Sequence, residues 1–112
     1  MEYEVRDLVI TGDAGVLRLT ALCHGPDGTE VWARAWLSNQ RGTLAETTQG
    51  PVLAGSVVSL EVPIPVELDP ENKYLAAFRV EAMPLDTREV KVVDLDFGQL
   101  AEYQNSSSKI LD

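Results

Sequence analysis

This 112-residue sequence contains one cysteine, Cys23, and one histidine, His24. A single thiol excludes an intrachain disulfide, and with it the usual framework of a small extracellular scaffold. A single imidazole leaves no second histidine for a catalytic dyad or a metal set. Basic residues are also scarce, with 9 Lys and Arg against 18 Asp and Glu, so the net charge is −9. Phosphate backbones and anionic membranes are held by concentrated Lys and Arg, and neither nucleic acid nor a membrane surface is an expected partner. The acidic surplus reads first as solubility and second as a preference for a basic partner. No apolar run approaches the ~20 residues that span a bilayer. The opening residues Met1–Asp7 lack a basic start, an apolar block and a small-residue cleavage site, so no signal peptide is read. A cytoplasmic location, or a place in an assembled particle, is expected over secretion.

What the chain does have is period-two alternation, almost from end to end and without a helical period, which predicts an all-β domain of about seven strands. At this length roughly two-thirds of the unfolded surface can be buried, so packing alone can hold a single domain. The expected strands are Val5–Ile10, Val16–His24, Glu30–Ser38, a weak one over Thr43–Thr48, a long run from Val58 to Leu68, Tyr74–Met83 and Arg88–Phe97. Turn signals separate them at Thr11–Gly15, Gly25-Pro26-Asp27-Gly28, Asn39–Gly42, Gln49-Gly50-Pro51 and Pro84–Thr87. Pro63 and Pro65 alternate, so their missing N–H groups fall on one side, and the segment is expected at a sheet edge or at a switch between sheets. The sandwich is expected to occupy residues 1–98. Residues 99–112 are expected to form a C-terminal turn, with a short helical turn over Gln99–Gln104, and a flexible tail.

One stretch identifies an architecture. In Leu68-Asp69-Pro70-Glu71-Asn72-Lys73-Tyr74, Pro70 presets a turn, Asp69 and Asn72 can bond their own backbone, and the Tyr74 hydroxyl can reach back across the corner. The apolar alternation Tyr74, Ala76, Phe78, Val80 and Ala82 then enters a buried strand. This is a tyrosine corner, a mark of Greek-key β-sandwiches. The motif Leu68-x-Pro70-x-x-x-Tyr74 resembles the corresponding segment of fibronectin type III domains, and the tryptophan of the third strand is similar to the immunoglobulin pattern. Two departures stand out: the second strand has Leu17, Leu19 and Ala21 where fibronectin type III domains usually carry a tryptophan, and Ala76 stands where the immunoglobulin pattern has a cysteine. The resemblance implies a single immunoglobulin-like or fibronectin type III-like sandwich, held without a disulfide, with a role in adhesion, recognition or structural spacing.

The sharpest candidate site is Trp32-Ala33-Arg34-Ala35-Trp36. In a strand, Trp32, Arg34 and Trp36 share one face, and Val31, Ala33, Ala35 and Leu37 share the other. The preferred arrangement turns the tryptophans inward, because large aromatics are mostly buried and few other bulky core residues are on offer, with Arg34 carried outward by a bulge or paired with a carboxylate. A single inward tryptophan, Trp36, with a bulge near Arg34 is the immunoglobulin-like compromise. The opposite arrangement makes an exposed strip with the indoles ~13 Å apart and Arg34 stacked between them, suited to a sugar ring, a peptide or a protein.

Other candidates read as structural. Cys23 and His24 are neighbours in a strand and point to opposite faces, which defeats a nucleophile-and-base pair. Asp94 and Asp96 share a face, but calcium takes about six or more oxygen ligands and no Asp-rich loop supplies them. Arg41-Gly42-Thr43 and Leu85-Asp86-Thr87 only superficially match integrin-binding tripeptides. Asn105-Ser106-Ser107 fits a glycosylation sequon, meaningful only in a secreted eukaryotic protein. Lys109–Asp112 has two apolar residues that could add as an arm to a neighbouring sheet edge, but plain disorder is the preferred reading. The expectation is therefore a non-enzymatic structural or protein-interaction module, a subunit or domain of a larger assembly, with no cofactor and no metal. The alternative is a carbohydrate-binding module that uses Trp32, Arg34 and Trp36.

Overall fold

The computed structural model describes residues 3–82 and 87–105. Seven strands and one helix follow in order: β1 (Glu4–Asp13), β2 (Val16–His24), β3 (Glu30–Asn39), β4 (Gly42–Leu53), β5 (Ser56–Pro63), β6 (Tyr74–Ala82), β7 (Thr87–Leu95) and α1 (Phe97–Asn105). All pairings are antiparallel and form two sheets, one three-stranded with order β1-β2-β5 and one four-stranded with order β4-β3-β6-β7. The architecture is an all-β sandwich with one short helix.

Alternation explains which residues lie between the sheets. Leu17, Leu19, Ala21 and Cys23 of β2, with Val58, Leu60 and Val62 of β5, meet Val31, Ala33, Ala35 and Leu37 of β3 and Ala76, Phe78 and Val80 of β6. All are buried, and the core contains no buried polar or charged residue among the described residues. Glu61 on the outer face of β5 pairs with Arg18 of β2 at 2.6 Å. Such a solvent-exposed pair is screened by water and lies within one sheet, so burial and packing hold the sheets together. β5 carries Pro63 at its end and lies on an edge, the place that the proline spacing requires.

The ends of the sandwich are closed differently. At one end Tyr3 packs over Gly25, where an added Cβ would come within 2.8 Å of the tyrosine ring. At the other, the two-residue turn Ala14-Gly15 joins β1 to β2, both residues having positive φ (51° and 81°), the geometry that matches the strand twist of a hairpin. At this second end α1 crosses from the end of β7 to the β1–β2 turn. Asp96 caps it, accepting from Gln99 N at 2.7 Å. Leu100 is buried in the core. The Tyr103 carbonyl accepts from Gly15 N at 3.1 Å, and Gln104 Nε2 donates to the carbonyls of Pro65 and Val66 at 2.6 and 2.7 Å. The helix spans the expected Gln99–Gln104 turn and extends it by two residues at its start and one at its end.

The corner is present. The Tyr74 hydroxyl accepts from Asp69 N at 3.0 Å, Asp69 Oδ1 accepts from Glu71 N at 2.9 Å, and Asn72 N donates to the Asp69 carbonyl at 3.0 Å. Several expected boundaries shift. β4 runs for 12 residues where a weak strand over Thr43–Thr48 was expected. β5 stops at Pro63, and Val66, counted in the alternating run, is 89% exposed in the connector. The last strand ends at Leu95, because Asp96 starts the helix and removes Phe97 from the sheet. The hairpin Pro84–Asp86, the tripeptide that begins at Leu85, and the tail from Ser106 lie outside the described residues.

Tyr74→Phe should lower stability by about 1–2 kcal/mol, since it leaves the partly buried Asp69 N–H without its acceptor while keeping the ring. Urea unfolding of wild type and variant checks this, and an unchanged midpoint would remove the hydroxyl from the account of the corner.

Candidate functional site

β3 lies inside the four-stranded sheet, paired to β6 without interruption from Trp32↔Glu81 to Ser38↔Leu75. This pairing leaves no bulge against β6 to rotate Arg34 out of an inward-facing row. Val31, Ala33, Ala35 and Leu37 are fully buried, whereas Trp32 is 38% exposed, and Arg34 and Trp36 are half-buried on the same outer face. The expectation that the tryptophans face the core is thus corrected. The physical reason is Arg34, whose guanidinium would be far more costly to desolvate than the two indoles are to leave partly in water.

The strip gathers neighbours that sequence reasoning missed. Arg34 lies opposite Thr48 of β4 and Arg79 of β6, and Trp36 lies opposite Glu46 and Ala77. Arg34 donates to Glu46 Oε1 from Nε at 2.8 Å and also from Nη2. Arg79 Nη2 donates to Glu81 Oε1 at 3.2 Å. Two like charges on adjacent strands repel, and each is neutralised by its own carboxylate. The two guanidinium carbons lie over the Trp36 ring, 5.1 Å (Arg34) and 5.7 Å (Arg79) from its centroid, so the aromatic face stabilises both. Arg79 Nε is buried without an acceptor among the described residues, with the Trp36 ring beside its guanidinium.

Trp32 lies differently. It packs on Gly50, where a Cβ would stand 2.7 Å from the indole, so the close approach of β4 requires glycine. The rest of its ring opens on a groove of about 330 Å³ lined by Arg34, Glu46, Thr48, Arg79 and Glu81. Beyond β6 the same face continues into apolar surface on β7, with Val90 opposite Arg79 and Val92 opposite Ala77. The signal for Arg79 and Glu81 is in the sequence, as the outward partners of Phe78 and Val80. Glu46 and Thr48 belong to a strand too polar to rank.

A second concavity, of about 750 Å³, lies at the corner end between Asn39, Gln40, Asn72, Lys73, Leu75 and Phe97. Its polar groups satisfy one another: Gln40 Nε2 donates to Asn72 Oδ1 at 2.9 Å, and Gln40 Oε1 accepts from Lys73 N at 3.0 Å. They join the β3–β4 turn to the corner. Asp94 is exposed on β7, while Asp96, expected beside it on the strand face, caps the helix instead. Among the described residues no group of three or more His, Cys, Asp and Glu is placed to hold a metal ion. Arg41 sits in the exposed β3–β4 turn, its N–H bonded to Asn39 Oδ1 at 2.8 Å.

Cys23 is fully buried between the sheets, and His24 is half-buried at the strand end. Burial pushes the Cys23 thiol up from 9.0 to about 11. A thiol that ionises less readily folded than unfolded favours the fold below pH 9.0, and that contribution is lost as the pH rises toward 11. Stability should therefore fall across this window in the wild type and fall less in Cys23→Ala. Denaturant titrations at several pH values measure the difference, and identical pH slopes would contradict it. The two indoles should also separate in solution. Trp32→Phe should remove most of the acrylamide-quenchable fluorescence and Trp36→Phe little of it, because two guanidinium groups cover Trp36.

No protein-family model matches this sequence, and no curated protein matches it at a significant level.

Proposed function

We propose that this chain is a non-enzymatic protein-interaction module, an immunoglobulin-like or fibronectin type III-like Greek-key sandwich that serves as a subunit or domain of a larger assembly. The observation that carries the reading is the outer face of the four-stranded sheet. Trp32, Leu75, Val90 and Val92 are exposed there around the Arg34–Glu46 and Arg79–Glu81 pairs. Aromatic and arginine anchors with aliphatic neighbours and a charged surround are the composition of protein-binding patches. The strand order supports the family reading: β2 pairs β5 and β3 pairs β6, so two crossing pairs interlock between the sheets, and the tyrosine corner feeds β6. In the constant-type immunoglobulin arrangement the fourth strand joins the first, second and fifth. Here β4 pairs β3, which favours the fibronectin type III-like form.

The carbohydrate reading ranks second. Trp32 offers an open ring for a sugar, but Trp36 already stacks two guanidinium groups, so the platform has one free face and not two. Catalysis has little support, since the one thiol is buried and held protonated.

Native-extract capture followed by mass spectrometry, with wild type, Trp32→Ala and Val92→Glu, tests the reading. A protein retained by wild type and reduced at least tenfold by both substitutions is expected, with no sugar retained on a glycan array. A sugar bound by wild type and lost in Trp32→Ala would replace the protein partner with a carbohydrate.

A further inference from the structure

Four strands border the two sheets, and three of them are closed to another strand. β1 breaks its pairing with β2 between Arg6 and Val9, where Asp7 takes a φ of 56°. Such a bulge twists an edge away from a neighbour. β4 shifts register twice against β3 and carries Pro51. It is also tied across to β5, Thr47 Oγ1 donating to the Glu61 carbonyl at 2.6 Å, so the β4 and β5 edges cover each other. β1 of the facing sheet packs near β7 across the core, but among the described residues β7 has no bulge, no proline and no hydrogen bond to that sheet. Its register with β6 is unbroken from Tyr74↔Leu95 to Ala82↔Thr87, it contains no proline, and among the described residues its only strand partner is β6. Val90, Val92 and Val93 are 43%, 54% and 36% exposed.

We infer that a second copy of this chain adds to this edge, β7 against β7 and antiparallel, with Val90 opposite Val90 of the other copy. The charges select that register. Residues directly opposite each other in an antiparallel pair share a face, so a two-fold pairing must place its axis beside one residue of each strand. Centred on Glu89 or on Lys91, it sets like charges against each other. Centred on Val92, it sets Val90 against Asp94 and Glu89 against Leu95. Centred on Val90, it leaves Arg88 opposite Val92 but sets Glu89 against Lys91 twice, once on each side of the axis, and closes Val90 on its mate. No other centre in the strand gives opposite-charge pairs without a like-charge pair on the axis. Among the described residues neither Glu89 nor Lys91 makes an ion pair.

The pairing joins two four-stranded sheets into one, with both outer faces on the same side. The contact is confined to residues 87–93 of each copy and falls below the roughly 1,000 Å² of a stable interface, so the dimer is weak and forms with rising concentration. It goes beyond the partner-binding reading above and does not rest on it: Trp32→Ala, which should abolish partner capture, leaves the dimer intact.

Sedimentation equilibrium of the full chain over a range of concentrations tests the pairing, with circular dichroism confirming that each variant is folded. Wild type should dimerise. Lys91→Glu and Glu89→Lys should each weaken association about tenfold or more, because two attractive pairs become two repulsive ones. The double variant Glu89→Lys/Lys91→Glu should restore it, and the two single variants mixed together should form a heterodimer. A wild type that stays monomeric, single variants that associate as well as wild type, or a double variant without recovery would each overturn the inference.

Discussion

An arginine at the middle of an interior strand resists burial by several kcal/mol unless a carboxylate comes with it, and Arg34 stands at that place in β3. Because strand side chains alternate, the hydration of this one group settles the orientation of every other residue in the strand. Val31, Ala33, Ala35 and Leu37 go inward, where Phe78 and the leucines of β2 supply the bulk that they lack. Trp32 and Trp36 go outward, and the neighbouring strands answer them: Glu46 for the charge of Arg34, Gly50 for the bulk of Trp32, and Arg79 for the ring of Trp36. The outer face is therefore a packed layer in its own right, and Ala77 within it is almost fully buried.

The same logic operates at the corner end. A sandwich is sealed along its faces by strands and left open where the strands stop. Here Tyr74 seals one part of the opening and Leu100, carried by α1, seals the rest. The helix is short and has little intrinsic stability. It is held by a capping aspartate at its start and by bonds to Gly15, Pro65 and Val66 from its last turn. Gly12 completes the fit, since any side chain there would meet the Tyr103 ring.

How much of this was legible in the sequence varied with how strictly each segment alternates. β2 was readable to the residue because Leu17, Leu19, Ala21 and Cys23 leave no second register. The corner was readable because Pro70 and Tyr74 do separate jobs at a fixed spacing. β4 was not, since Glu46, Thr47 and Thr48 give it no apolar face, and its length comes from pairing with β3. The orientation of β3 failed for a different reason: aromatic burial and charge hydration point opposite ways there, and preference by residue size gave the weaker of the two effects the decision. The groove beside Trp32 draws on β3, β4 and β6, and no linear pattern joins those segments before they fold.

The path of the chain has a mechanical side. Tyr3 enters at one end of the sandwich and α1 is fastened at the other, across the β1–β2 turn. A pull between Tyr3 and Asn105 runs along β1, so its ladder to β2 is loaded in shear and its bonds share the tension. At the far end the pull meets the α1 contacts with Gly15, Pro65 and Val66, which link the load to both the turn and the connector. Placed in a row of linked units, this fold would resist extension along its strands, and its short helix would be the first element to yield.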